Sequence, residues 1–376
     1  MDYREYELGE LLSYEQPTQY IVKTEDYDDS YPIPVLTAGK SFVLGYTNEK
    51  DGIYSKLPVI IFDDFTTSSQ FVSFRFKVKS SAMKILTANP AFVLPKYIYY
   101  RMQIIEFDHS THKRYWIQHY SKIKVRIPSL TEQERIVYRI EELLSQLETG
   151  VETLKKTKAQ LAVYRQAVLK DAFDNLDAEK EVTFGSLMSV VRNGYGLKPD
   201  DSGEYRILRI GAVRSMKIDL TDYRLNKTEF SYEGIIHEND LLFTRYNGSR
   251  EYVGVCACVP RLDVEYAFPD KIIKCTPKLD NTYHSKYLQF YVSQGKARDY
   301  IRSKIKTTSG QNGIAGSDIK RILVNLPSID KQQKIVEKIE SRLSVCDSIE
   351  QSIDSSLQQA AAMRQSILKQ AFEGRL

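Results

Sequence analysis

The chain has 376 residues, 42% of them hydrophobic, and a formal net charge of +4. That length ordinarily holds two or three domains with real cores. No apolar run is long enough to span a bilayer, and neither a signal peptide nor a low-complexity tract is legible, so the composition excludes a membrane-embedded or secreted reading and predicts a soluble, cytoplasmic protein.

Residues 1–127 form a first block that reads as mixed and strand-rich. Apolar runs at Leu57–Phe62 and Phe71–Val78 are bounded by turn residues, and a helical stretch lies near Lys96–Ile105. Between them lie two polar loops. One carries Thr66, Thr67 and Ser68 after Asp63-Asp64, and the other carries Lys113, Arg114 and Tyr115. From His109 to Thr131 there is no acidic residue, whereas Lys113, Arg114, Lys122, Lys124 and Arg126 are all basic, a mixture that with tyrosine suits phosphate contact and base stacking.

Residues 128–176 read as one long helix. Thr131 with Glu134 forms a capping box after Pro128-Ser129. Beyond it Val137, Ile140, Leu144, Leu147, Val151, Leu154, Lys158, Leu161, Arg165, Val168 and Ala172 follow the 3-4 spacing of a heptad seam. A helix of about 45 residues runs roughly 65 Å.

Residues 177–326 form a second strand-rich block with 23 Lys and Arg against 19 Asp and Glu. Leu241–Phe243 and Tyr252–Cys256 read as strands, and Ser285–Ile301 as helix. Cys256 and Cys258 sit in an apolar run and read as buried strand cysteines, not as a metal site or disulfide. The polar loops here carry Arg245, Tyr246, Asn247 and Arg250, then Thr307, Thr308, Ser309, Gln311 and Asn312. Arg reads guanine bidentately and Asn or Gln reads adenine, so these residues and the loops of the first block are the candidate DNA contacts. A second basic stretch, Lys286–Lys306, faces only Asp299.

Residues 327–376 repeat the first long helix. Ile127–Leu176 aligns without a gap to Leu326–Arg375 at an offset of 199, which is duplication. The second capping box is Asp330 with Gln333, and the second seam runs from Val336 through Cys346, Glu350 and Arg364 to Ala371. The repeat extends weakly into the blocks: Tyr6–Leu12 matches Val182–Met188, and Lys96-Tyr97-Ile98 matches Lys286-Tyr287-Leu288. Two such halves, related by a pseudo-two-fold axis, predict antiparallel helices forming a coiled coil. The seam arginines Arg165 and Arg364 either meet an acidic partner that fixes register or snorkel to the surface. The best-preserved stretch is R-Q-x-x-L-K-x-A-F, which holds Arg165, Leu169 and Phe173 in one copy and Arg364, Leu368 and Phe372 in the other. It either caps the coil or forms a duplicated docking surface.

Chemistry within the chain is not legible. Asn89-Pro90-Ala91-Phe92 lacks the second proline of an adenine-gripping methyltransferase motif, and no glycine-rich cofactor turn precedes it. Gly194-Tyr195-Gly196 lacks a third glycine, there is no ATP-binding loop, and no ExK follows Pro269-Asp270. His109, His112 and His119 lack zinc-ligand spacing.

The layout of block, helix, block and helix resembles the specificity subunit of type I DNA restriction-modification systems over essentially the whole chain. The LPS-x-x-x-Q-x-x-I-V-x-x-I-E-like helix starts after each block, the terminal R-Q-x-x-L-K-x-A-F, and LLFTRYNGS with TTSGQNGIAGSDIKRILVNLPS in the second block carry the likeness. The resemblance implies an α+β fold with two target recognition domains, each reading half of a bipartite double-stranded DNA sequence, and a helical spacer that fixes the unread gap. It implies a non-catalytic chain without its own cofactor. Two modification subunits bearing S-adenosylmethionine would dock on it and methylate adenine, joined by restriction subunits that use ATP and magnesium. An adaptor that binds DNA and recruits a non-methyltransferase partner through its helices is the alternative.

Overall fold

The computed structural model describes residues 3–37, 41–107, 115–174, 176, 179–197, 203–278, 283–308 and 310–376. The chain divides into two compact units, residues 1–155 with 354–376, and residues 156–353.

In the first unit a four-stranded antiparallel sheet has the spatial order Leu12–Glu15, Met83–Ala88, Val59–Asp63, Ser69–Val72. Side chains alternate between the faces of a strand. Ile60 and Phe62 therefore enter one cluster with Leu86, Trp116 and Tyr120, while Val59 and Ile61 enter another with Tyr54, Phe76 and Met83. Burial on both faces is why this run shows no polar alternation. A second sheet pairs Ile33–Leu36 antiparallel to Val43–Thr47 and parallel to Lys77–Val78. A ladder of Arg4–Glu7 with Lys124–Ile127 leads into the first long helix. The expected run Phe71–Val78 is thus two strands in two sheets, interrupted after Val72.

The second unit repeats this plan. Its main sheet has the order Met188–Asn193, Ile272–Pro277, Leu241–Thr244, Cys256–Cys258; Tyr205–Leu208 pairs antiparallel to Tyr223–Asn226 and parallel to Tyr266–Ala267; and Lys180–Thr183 pairs with Leu323–Leu326. Strand order and sense are the same in both units although their sequences barely align.

The helices are α1 (Pro95–Met102), α2 (Leu130–Phe173), α3 (Ser285–Val292), α4 (Gly295–Lys304) and α5 (Ile329–Phe372), apart from short turns. The stretch expected as one helix over Ser285–Ile301 breaks into α3 and α4, where Gly295 takes φ +53°, a value that glycine adopts without a Cβ clash. With the hairpin Lys306–Thr308 and Gln311–Gly313, α4 has no counterpart among the described residues of the first unit.

The long helices α2 and α5 have 44 residues each and begin and end at repeat-equivalent positions. Both start two residues earlier than the expected capping boxes imply. Ser129 Oγ accepts from Glu132 N–H at 3.4 Å and its carbonyl from Gln133 N–H at 3.0 Å; the Ser328 carbonyl accepts from Gln332 N–H at 3.0 Å. Ser129 and Ser328 each immediately precede the helix, Ser129 caps it through its side chain, and Thr131 and Asp330 lie inside the first turn.

Within the second unit Arg165 bonds Asp347 at 2.6 Å and Glu350 at 2.9 Å, and Asp171 meets Lys338 at 3.1 Å and Arg342 at 3.2 Å. Partner numbers fall along α5 as they rise along α2, so the pair is antiparallel. Within the first unit Arg364 meets Glu148 at 3.2 Å. Both seam arginines take acidic partners, and Asp347 is the repeat counterpart of Glu148. Among the described residues no helix is long and apolar enough to cross a membrane.

Candidate nucleic-acid interface

In the first unit the central strand Val59–Asp63 ends in a tight turn. The Asp63 carboxylate accepts from Phe65 N–H at 2.9 Å and from the Thr66 hydroxyl at 2.7 Å, and the Asp63 carbonyl accepts from Thr67 N–H at 2.9 Å. Thr67 is held at φ +56°, a left-handed conformation that costs a β-branched residue about 1–3 kcal/mol and persists only where its surroundings enforce it. Thr66 and Ser68 are exposed on this turn. Asp64 is buried and joins the two predicted loops: its carbonyl accepts from Tyr115 N–H at 2.9 Å, its carboxylate from Trp116 N–H at 2.8 Å, and Lys84 Nζ lies 3.3 Å from it.

Tyr115 is itself only 1% exposed and packs edge-on against Phe107. It anchors the loop from inside the core and offers no surface to DNA, which corrects the sequence expectation. Lys113 and Arg114 lie outside the described residues, as do His109 and His112.

The second unit places its candidates at the end of the equivalent strand, Leu241–Thr244. The Arg245 guanidinium lies 4.6 Å over the Tyr246 ring, a cation–π contact, and donates to the Asp270 carbonyl at 3.3 Å. Tyr246–Asn247 pairs with Gln311–Gly313, so the two predicted loops form one surface. Glycine is required at 313, because a Cβ there would stand 2.3 Å from Tyr246 Cε1.

Asn312 donates to the Gly248 carbonyl at 2.9 Å and accepts from the Thr307 hydroxyl at 2.7 Å. Asn247 accepts from Ser249 N–H at 3.0 Å. These amides shape the loop, leaving Gln311, Thr307 and Arg250 as exposed polar groups; Arg250 donates to the Arg302 carbonyl at 3.1 Å. Thr308 pairs through its backbone with Gln311, and Ser309 lies outside the described residues.

Sequence reasoning missed Arg298. It belongs to the basic stretch read as phosphate-facing, yet it is buried, and it donates to the carbonyls of Glu251 at 2.9 Å, Val253 at 3.1 Å and Gly254 at 2.8 Å. Burial, reinforced by nearby Arg302, pushes its pKa down to about 10. Arg298 thus clamps the segment that follows Arg245 and Tyr246.

The preserved helix ends are used inside the chain. Leu169 and Leu368 are fully buried. Phe173 packs on Tyr287 and Tyr291 of α3, with ring centroids 5.6 Å apart in both cases. Phe372 packs on Tyr97 of α1 at 5.2 Å, with the Arg101 guanidinium 5.5 Å from its ring. Leu169 and Leu368 present no surface to a partner, so they serve packing; Phe173 and Phe372 are partly exposed. Two further repeat-related contacts accompany them, Lys96 with Glu141 and Lys286 with Glu340.

The chain is 32% identical to the type I restriction enzyme EcoR124I/EcoR124II specificity subunit of Escherichia coli, across 95% of this chain and 90% of that one. The chain belongs to the type I restriction enzyme specificity subunits. A family model for the type I restriction modification DNA specificity domain matches residues 180–359 of this specificity subunit. The EcoKI specificity subunit of Escherichia coli strain K12 is 35% identical over 68% of this chain and 58% of its own length.

The specificity-subunit fold recurs in solved structures. One chain, from work on complex assembly and conformational transition of the type I R-M system, has a TM-score of 0.71 at 14% identity, with 100% of this chain and 98% of that chain covered. The HsdS subunit from Thermoanaerobacter tengcongensis has a TM-score of 0.52 at 13% identity, covering 100% and 97%. As a specificity subunit the chain recognises a DNA target and is not itself a catalyst. Among the described residues no group of His, Cys, Asp and Glu is placed to hold a metal ion.

Proposed function

We propose that the chain reads a bipartite, asymmetric DNA sequence, with residues 1–127 and 177–326 as its two target recognition domains and residues 128–176 and 327–376 as the duplicated helical spacer. One observation carries this reading. The same strand, in the same sheet order, ends in a polar loop cluster in both units, but the cluster is Asp63–Ser68 in one and Arg245–Arg250 with Thr307–Asn312 in the other. A shared scaffold with different donors and acceptors is what two dissimilar half-sites require. Thr66, Thr67 and Ser68 supply hydroxyl and backbone groups to one half-site; Arg245, Tyr246, Arg250, Thr307 and Gln311 serve the other. Lys113 and Arg114 supply phosphate contacts.

Two modification subunits, carrying S-adenosylmethionine and methylating adenine, dock at the duplicated helix ends. The open parts of Arg165, Phe173, Arg364 and Phe372 form the contact and Leu169 and Leu368 hold it from beneath. Restriction subunits using ATP and magnesium complete the cytoplasmic assembly. The test is a genome-wide methylation map of cells expressing the modification subunit with and without this chain. Adenine methylation in a split motif only when the chain is present is expected; methylation independent of the chain would overturn the reading.

A further inference from the structure

Phe65 is the one apolar residue in a turn otherwise built from Asp, Thr and Ser, and 44% of its surface is exposed. Nothing in the turn needs a phenyl ring there. The hydrogen bonds that shape it come from the Asp63 carboxylate and carbonyl and from the Thr66 hydroxyl, and they involve only the backbone of Phe65. Single exposed aromatics are ordinary on a protein surface, and Phe74 and Phe92 are exposed to a similar degree; Phe65 is set apart by its place on a hydrogen-bonded turn at the end of the central strand, among the candidate DNA contacts.

The repeat identifies what kind of surface this is. Phe62 and Phe243 are each the last but one residue of their central strand, opposite Lys84 of Met83–Ala88 and Ile273 of Ile272–Pro277, and counting three residues on reaches Phe65 in one unit and Tyr246 in the other. Both units therefore put an aromatic ring two residues beyond the end of the strand, among the candidate base-reading groups. In the second unit the ring is covered by the Arg245 guanidinium and approached by the Gly313 backbone. In the first it is open.

We infer that Phe65 is a base-contacting residue, which stacks on or wedges against bases of the half-site read by the first recognition domain. The inference rests on the reading of the chain as a bipartite DNA reader and adds to it the mode of contact. Every base offers a π-face, so an aromatic ring gains by stacking whatever the sequence, and apolar side chains insert between base steps where a duplex is deformed. The Asp63 bonds and the left-handed Thr67 hold the turn in one shape before DNA arrives, so little ordering is lost on contact. The two half-sites are then read by different means, one with an open ring and the other with a guanidinium laid over a ring.

The experiment uses the full chain with its modification subunit and duplexes bearing the motif recovered from the methylation map, with 2-aminopurine placed singly through either half-site. Phe65→Ala is expected to weaken binding about tenfold, the loss of one stacked base. It should abolish the 2-aminopurine fluorescence change in one half-site only and leave the salt dependence of binding unchanged, because phosphate contacts remain. Phe65→Tyr keeps the ring and should restore both affinity and signal. Unchanged affinity and fluorescence in Phe65→Ala would overturn the inference while leaving the bipartite reading intact. So would loss of the modification subunit with the chain's own DNA affinity preserved, which would make Phe65 a protein contact. If the unsubstituted complex does not discriminate the motif, the reading fails and the inference with it.

Discussion

The amides of Gln133 and Gln332 make the same bonds in the two units. Each donates to the carbonyl of the proline before its helix, Pro128 at 3.0 Å and Pro327 at 2.9 Å, and each accepts from the backbone N–H that opens the neighbouring block's helix, Leu94 at 2.8 Å and His284 at 3.0 Å. Both side chains are fully buried. Gln133→Leu or Gln332→Leu would leave those backbone groups buried without partners, at about 1–3 kcal/mol each. Thermal or denaturant unfolding should show comparable losses for the two single variants, and a loss in only one would mean that the two brackets are not equivalent.

The seam arginines offer a graded test. Arg165 has two acids within 2.9 Å and 23% of its side chain exposed, whereas Arg364 has one at 3.2 Å and 39% exposed. Less solvent and more partners make an ion pair stronger. Double-mutant cycles should give a coupling of about 1 kcal/mol between Arg165 and Glu350 and about half that or less between Arg364 and Glu148. Equal couplings would refute the argument from exposure.

The long helices were legible because two copies carry the same 3-4 spacing, and the central strands because burial on both faces leaves an unbroken apolar run. The shared block topology was not, since the blocks align only at short matches such as Lys96-Tyr97 with Lys286-Tyr287. The caps were misplaced by two residues because Thr131 and Asp330 mimic a signal that Ser129 and Ser328 carry. The second-unit loop cluster depends on bonds between residues far apart in the chain, Asn312 with Gly248 and Arg298 with Val253, which no local pattern encodes. Tyr115 was misread for a related reason: Tyr beside Lys and Arg suits DNA contact, and only the fold reveals that its ring is buried.

Arg298 holds the segment that follows Arg245 and Tyr246, and under the proposed function it would position the second recognition loop. Arg298→Met removes a buried cation with three carbonyl acceptors and should lower stability by about 2–3 kcal/mol. Arg298→Lys keeps the charge but replaces the planar fork with a single ammonium, so it cannot reproduce the geometry of the three bonds. Competition binding with duplexes altered in one half-site should show relaxed discrimination in the second half-site for Arg298→Lys, well below its unfolding temperature, with the first half-site unaffected. Unaltered discrimination would confine Arg298 to stability alone.

His284 should make the stability of the second unit depend on pH. Its Nδ1 accepts from Lys286 N–H at 3.2 Å and caps α3, a role open only to the neutral ring. Burial, with Lys286 adding to it, lowers the pKa of this histidine below its ordinary value of 6.5. The unfolded chain takes up the proton first, so the stabilisation is complete above about pH 7.5 and is lost as pH falls through about 6.5 toward the folded-state pKa. His284→Asn keeps an acceptor at the cap and has no proton to gain. Stability against unfolding, measured from about pH 7.5 down to about pH 5.5, should therefore fall more steeply for the unsubstituted chain than for His284→Asn. Parallel slopes would show that His284 titrates alike in the folded and unfolded chain.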